Sequence, residues 1–191
     1  MNNIFEIIDK LEKSHSLSLS EYEYLISNRT PEAANYLMQK AVSVRKSIYD
    51  NFIYIRGLIE ISNICKNDCY YCGIRKSNLS CDRYRISKEE ILKCCENGYN
   101  LGFRTFVLQG GEDLYFSDEI MCDIVNSIHT KFPDCAITLS LGERTKESYQ
   151  KLYESGATRY LLRHETADKE HYEKATLEEL LPKGFGPSNL A

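Results

Sequence analysis

Three cysteines in the run Cys65-Lys-Asn-Asp-Cys69-Tyr-Tyr-Cys72 are spaced C-x₃-C-x₂-C. Three thiolates on one tight loop can each hold one iron of a [4Fe–4S] cube and leave the fourth iron open. Zinc is the rival metal, but structural zinc prefers four ligands in paired C-x₂-C spacing, and no second pair or nearby His follows. A set of merely structural loop thiols is the remaining alternative; in a reducing cell such clustering brings little. A second motif is Gly110-Gly111-Glu112. Two glycines let backbone approach a ligand, and the carboxylate can accept from a cationic amino group, although the tripeptide also makes an ordinary turn. Two more polar runs follow. Thr138-Leu-Ser140-Leu-Gly-Glu143 ends in hydroxyls and a carboxylate; Arg159-Tyr-Leu-Leu-Arg163-His164-Glu165-Thr166 brings two guanidiniums and another carboxylate. A salt-bridge network at a sheet rim is the alternative reading of any one of them.

The elements that must position these groups are legible from periodicity. Residues 1 to about 50 read as helices, with Ile4, Ile7, Ile8 and Leu11 at helical spacing, a polar break at Ser14 to Ser18, and a capping box at Ser20 and Glu23. Thr30 and Pro31 open a helix running to about Tyr49. From Phe52 the period changes. Phe52 to Ile61, Thr105 to Gln109, Ala136 to Leu141 and Arg159 to Arg163 read as strands, and Ser87 to Leu101, Ser117 to Lys131 and Thr145 to Ser155 as the helices between them. Strands alternating with helices of this length predict βα units on a parallel sheet. All four polar clusters then fall at strand C-terminal ends, where barrel enzymes place their active sites.

The whole chain is 191 residues with 24 Lys plus Arg, 28 Asp plus Glu, 8 Cys, no Trp and 42% hydrophobic residues. A net charge of −4 argues against a nucleic-acid surface, and no apolar run reaches the roughly 18 residues of a membrane span. Glu6 and Asp9 interrupt the N-terminal stretch, so a secretory signal is not expected and the expected location is the cytoplasm. The expected fold is α/β: a partial (βα) TIM-type barrel with about four parallel strands, preceded by an N-terminal helical segment. A closed barrel takes about 250 residues, and four βα units supply half of one. The expected division is a helical segment 1–50, a half-barrel 51–172 and a divergent tail 173–191. That tail holds the end of a helical piece from Asp168 to Leu181 and then the breaker-rich Pro182 to Pro187. Cys94 and Cys95 are expected to pack within a helix; His15, His129 and His171 look like surface or helix-end residues, and strand alternation turns His164 away from whatever its neighbours face.

The cysteine spacing, with Tyr71 before its last Cys, resembles the radical S-adenosylmethionine (SAM) superfamily. The combination of blocks is sharper still. Ile59-Glu-Ile-Ser-Asn-Ile-Cys65, Tyr70-Tyr-Cys72-Gly-Ile-Arg75, Arg83-Tyr84-Arg85, Val107-Leu-Gln-Gly-Gly-Glu-Asp113 and the two strand-end runs are similar to the HydE family of [FeFe]-hydrogenase maturases. Methylornithine synthase and biotin synthase share many of them. The resemblance implies a [4Fe–4S] cluster on Cys65, Cys69 and Cys72, with SAM chelating the open iron and yielding a 5′-deoxyadenosyl radical. It implies SAM contacts at Tyr71, Gly110, Gly111, Glu112, Ser140, Arg163 and Glu165, and Thr138 and Arg159 facing a cavity for substrate or anion. It also implies a small-molecule or iron-complex substrate, an electron donor such as ferredoxin or flavodoxin, and other hydrogenase maturation proteins as partners. An inactive cluster-binding fragment, and a zinc module using the triad plus Cys81, are the alternatives.

Overall fold

The computed structural model describes residues 3–163 and 165–176. The chain divides into two compact units, Met1–Tyr54 and Ile55–Ala191.

The first unit holds α1 (Ile4–Ser14), α2 (Leu19–Ser27) and α3 (Pro31–Tyr49). Each begins at a side chain that satisfies an orphan amide: Asn3, Ser18 and Thr30 accept from Phe5, Glu21 and Ala33. The second capping box is therefore Ser18 with Glu21, two residues earlier than the periodicity predicts. Ser14 to Ser18 supplies both the break and the cap, and Lys10 bonds Glu21 at 2.7 Å from α1, holding its carboxyl down at about 2.

The second unit is a four-stranded parallel sheet in the order β1 (Gly57–Ser62), β2 (Thr105–Gly110), β3 (Ala136–Ser140), β4 (Arg159–Tyr160). Helices α4 (Lys88–Asn100), α5 (Asp118–Lys131) and α6 (Lys146–Glu154) connect consecutive strands, and α7 (Lys169–Thr176) follows the last. The architecture is the partial TIM-type barrel the sequence implies. Ser87, Ser117 and Thr145 cap the connecting helices, and Gly102 and Gly156 take positive φ just beyond the first and third of them.

Two boundaries differ from expectation. Phe52 to Arg56 is not strand. Pairing with β2 begins at Gly57↔Phe106, and among the described residues no strand pairs with Phe52 to Arg56. β4 is two residues long rather than five: after Tyr160 only the Leu161 amide still reaches a β3 carbonyl, that of Leu139. Among the described residues no strand lies beyond it. The expected helix after β4 is described only to Thr176, and His164 lies outside the described residues.

Strand alternation divides the sheet residues. Ile59, Ile61, Phe106, Leu108, Ile137 and Leu139 turn to the helices and form the core with Ile91, Met121, Ile124, Val125, Ile128 and Leu152, all buried. The opposite face carries Leu58, Val107, Thr138 and Arg159 in one row across the register, and Glu60, Gln109 and Ser140 in the next row toward the strand C-termini. Leu58 and Leu161 on that face are 54% and 46% exposed. Cys95 and Cys135 are buried, as packing requires, but Cys94 is exposed, because α4 turns its neighbour rather than it to the core.

Candidate active site

The strand C-terminal ends converge on one cavity of about 350 Å³. From β1 and its loop come Cys65, Cys69, Tyr71 and Cys72; from β2, Gly110, Gly111 and Glu112; from β3, Ser140; and from beyond β4, Arg163 and Glu165. Ten of the twelve residues singled out in the sequence thus share one lining. Thr138 and Arg159 do not. They sit one row deeper on the same face, paired across the β3–β4 register. Thr138 is buried, and its Oγ1 has no hydrogen-bond partner among the described residues.

The cysteine loop has little regular structure from Asn63 to Asp82, so its order comes from other groups. The glycine pair closes on it from β2. A Cβ on Gly111 would stand 2.3 Å from the Ile64 carbonyl oxygen and 2.9 Å from Cys65 Cβ. The close approach that glycine permits is therefore to the loop itself. The Glu112 amide donates to Cys65 Sγ at 3.4 Å, and the Lys66 amide donates to the Glu112 carbonyl at 3.1 Å. The Glu112 carboxylate is held by Lys66 Nζ at 3.0 Å and Asn67 Nδ2 at 2.9 Å. Gly142 clears room for it: φ is +77°, and a Cβ there would lie 2.1 Å from Glu112 Cγ.

Next to Glu112, Asp113 is buried and takes a bidentate bond from Arg85, Nε at 2.5 Å and Nη2 at 2.8 Å, with the Ser62 hydroxyl at 2.7 Å. Burial alone would raise its carboxyl, but these donors hold it below the usual carboxylate range. Glu143 shows the reverse. Burial pushes its carboxyl up against a bond from the Tyr172 hydroxyl at 3.1 Å, and its Oε2 is buried with no partner among the described residues. Burial likewise pushes the Cys69 thiol up, opposed by its hydrogen bond with the Tyr71 hydroxyl. The α7 helix also reaches the cysteine loop, where the Tyr70 amide donates to the Ala175 carbonyl at 3.0 Å.

The donor set suits an iron–sulfur cube. Three thiols of one loop line the cavity, and a backbone amide already points at one sulfur, the kind of bond that tunes such clusters. No three His, Cys, Asp or Glu side chains among the described residues converge on a single metal ion, and a cube that takes one thiolate per iron does not ask for that. Cys81, the fourth thiol a zinc reading would use, is not part of the lining and contacts Asn63 and Asp82 instead. Arg163 and Arg159 make no ion pair with any described carboxylate, which leaves two guanidiniums on the inner side of the sheet. Glu165 sits in left-handed backbone at φ 56°.

Several lining residues escaped sequence reasoning. Glu60 and Gln109 follow from period-two alternation once the strands are known. Asn67, between the first two cysteines, and Gly142 carried no signal of their own, because their roles depend on where Glu112 lands. Tyr172 lies in a short helix whose position over the site no local pattern records.

A parallel half-barrel with a three-cysteine loop after its first strand, and a Gly-Gly-Glu turn after its second, defines a class. Residues 59–181 match the profile of the Radical SAM superfamily. The chain belongs to that superfamily of enzymes. It is 42% identical over 164 residues to the [FeFe] hydrogenase maturase subunit HydE of Thermotoga maritima, covering 85% of this chain and 46% of that protein. It is 30% identical over 168 residues to 3-methylornithine synthase of Methanosarcina acetivorans, covering 87% of this chain and 47% of that one. The crystal structure of HydG, a maturase of the [FeFe]-hydrogenase, superposes with a TM-score of 0.81 at 26% identity, covering 97% of this chain and 41% of that chain. The chain spans about half the length of the curated relatives it matches. No described helix is long and apolar enough to cross a membrane.

Proposed function

We propose that the cavity binds a [4Fe–4S] cluster on Cys65, Cys69 and Cys72 together with SAM, in a HydE-like role in maturing the diiron site of [FeFe]-hydrogenase. The observation that carries this reading is the sharing of one cavity by all three thiols and by polar groups from the other three strand ends. When bound, the cluster and SAM would supply a 5′-deoxyadenosyl radical, the hydrogen-abstracting reagent of the superfamily.

The chain's own residues have distinct tasks in this reading. The three thiols would bind as thiolates, one to each of three irons, losing their protons to solvent. Arg163, with no ion pair to a described carboxylate, would take the carboxylate of the SAM amino-acid head. Glu112, already balanced by Lys66, adds acceptor capacity for the amino group, beside the backbone of Gly110 and Gly111. Ser140 and Glu165 would offer partners for the ribose hydroxyls, and the backbone or ring of Tyr71 would flank the adenine. Thr138, whose buried hydroxyl has no partner among the described residues, and Arg159 would meet a polar or anionic substrate one row deeper. The substrate is a small molecule or an iron complex, the electron source a ferredoxin or flavodoxin, and the partners the other hydrogenase maturation proteins.

Anaerobic reconstitution with iron and sulfide tests the cluster. About four irons per chain with a broad visible absorbance support it; tight zinc without that band overturns it. The exposure of Leu58 and Leu161 on the inner face favours a second reading, in which this chain holds the cluster but does not turn over. 5′-Deoxyadenosine formed from SAM after reduction supports the enzyme. A loaded chain that never forms it, while a version extended to a full barrel does, supports the second reading.

A further inference from the structure

Of the Arg83-Tyr84-Arg85 block only Tyr84 lines the cavity just described, yet Arg83 makes the densest set of hydrogen bonds on the cysteine loop. Its Nη1 donates to the carbonyls of Asn63 at 2.6 Å and Ile74 at 2.8 Å; its Nη2 donates to those of Arg75 at 2.6 Å and Asn78 at 3.1 Å. Asn63 lies two residues before Cys65, and Ile74 and Arg75 lie two and three residues after Cys72. One guanidinium therefore ties together the two ends of the segment that carries all three thiols. The neighbours reinforce the tie. Asn63 Oδ1 accepts from the Tyr84 amide at 2.8 Å, and Arg85 holds Asp113 on the β2 loop.

We propose that Arg83 is a positioning residue for the cluster ligands: it closes the Cys65–Cys72 segment into its ligating shape before metal arrives. This rests on the cluster reading above. The physical reason is the loop's backbone. A stretch of this length without regular structure must place its carbonyls somewhere, and free it would spread the thiols over many arrangements. A planar fork with donors in fixed directions can meet four carbonyls at once. A lysine ammonium, a single point with three donors, cannot span both ends.

The test compares wild type, Arg83→Lys and Arg83→Met by three measurements. Far-UV circular dichroism checks that the helices and sheet are intact, and Arg83→Lys carries the comparison if Arg83→Met does not fold. Hydrogen exchange of the apo-protein follows the amides of Cys72, Arg75, Lys76 and Ser77, which are hydrogen-bonded within the loop. Anaerobic reconstitution then gives iron per chain and the electron paramagnetic resonance spectrum of the reduced cluster. The expected result is loop exchange faster by on the order of tenfold in Arg83→Lys and more in Arg83→Met, from the loss of charge-assisted bonds. Iron content falls in the same order, and the resonance of the remaining cluster broadens. Unchanged loop exchange overturns the proposal; so does faster exchange with wild-type iron content and an unchanged spectrum. If wild type itself takes up no iron, the cluster reading fails. The apo exchange still decides whether Arg83 orders the loop.

Discussion

At the scale of single residues, the site depends on close approaches that chemistry-bearing side chains do not announce. The three thiols were legible because ligand spacing is a local signal. The pairing of Glu112 with Lys66 and Asn67 was not, because it joins two loops 45 residues apart. The two glycines nearest the thiols illustrate the difference. Gly111 has the Ile64 carbonyl where a Cβ would go, whereas Gly73, directly after Cys72, has nothing within 4 Å and no positive φ. Gly111→Ala is expected to cost about 1–3 kcal/mol by overpacking and to lower iron uptake. Gly73→Ala should change stability by less than about 0.5 kcal/mol, as chemical denaturation can measure. Two carboxyls also make opposite predictions with pH. Asp113 sits below its ordinary 3.8, so its contribution is complete above that value and is lost as pH falls through the lower, folded one. Asp113→Asn should cost about 2 kcal/mol at pH 7 and remove this acid dependence. Glu143 sits above its ordinary 4.5, so the folded state loses stability as pH rises from there through the raised value. Glu143→Gln keeps an oxygen for Tyr172; it should be more stable than wild type at pH 7 and equal to it at pH 4 in thermal melts.

At the scale of elements, helices and strands were readable from period and caps, and the errors lie at their ends. The α2 start was misplaced because Ser18 and Ser20 each precede a Glu at capping-box distance, and only tertiary context chooses between them. Lys10 on α1 makes that choice by holding Glu21. Ser18→Ala should therefore cost about 1 kcal/mol of stability, while Ser20→Ala should be near neutral, since only Ser18 caps. The β1 error has another origin. Phe52 to Ile55 has strand composition, but composition cannot create a neighbour, and no described strand supplies one. Sheet length is a property of the pair.

At the scale of the whole molecule, the arrangement of motifs at strand ends was legible, since βα alternation fixes which end of the sheet they share. What lies over the inner face was not, because neither periodicity nor motif spacing says what the face meets. The boundary between the two compact units offers a direct check. Phe52, Ile53, Tyr54 and Ile55 are between 67% and 83% exposed. Chymotrypsin at low ratio should cut first after Phe52 or Tyr54, leaving a fragment that retains the Cys loop; first cuts inside β2 or β3 would contradict the division. The sheet order carries a consequence in time. Every hydrogen-bonded pair of strands is consecutive in the chain, so each βα unit can dock on the edge left by the one before as it leaves the ribosome. The cysteines emerge early, about 40 residues ahead of the turn that seals them, and Arg83 and Arg85 emerge in between. The order of synthesis thus brings the arginine within reach of the thiols first, Gly111 and Glu112 second, and α7 last.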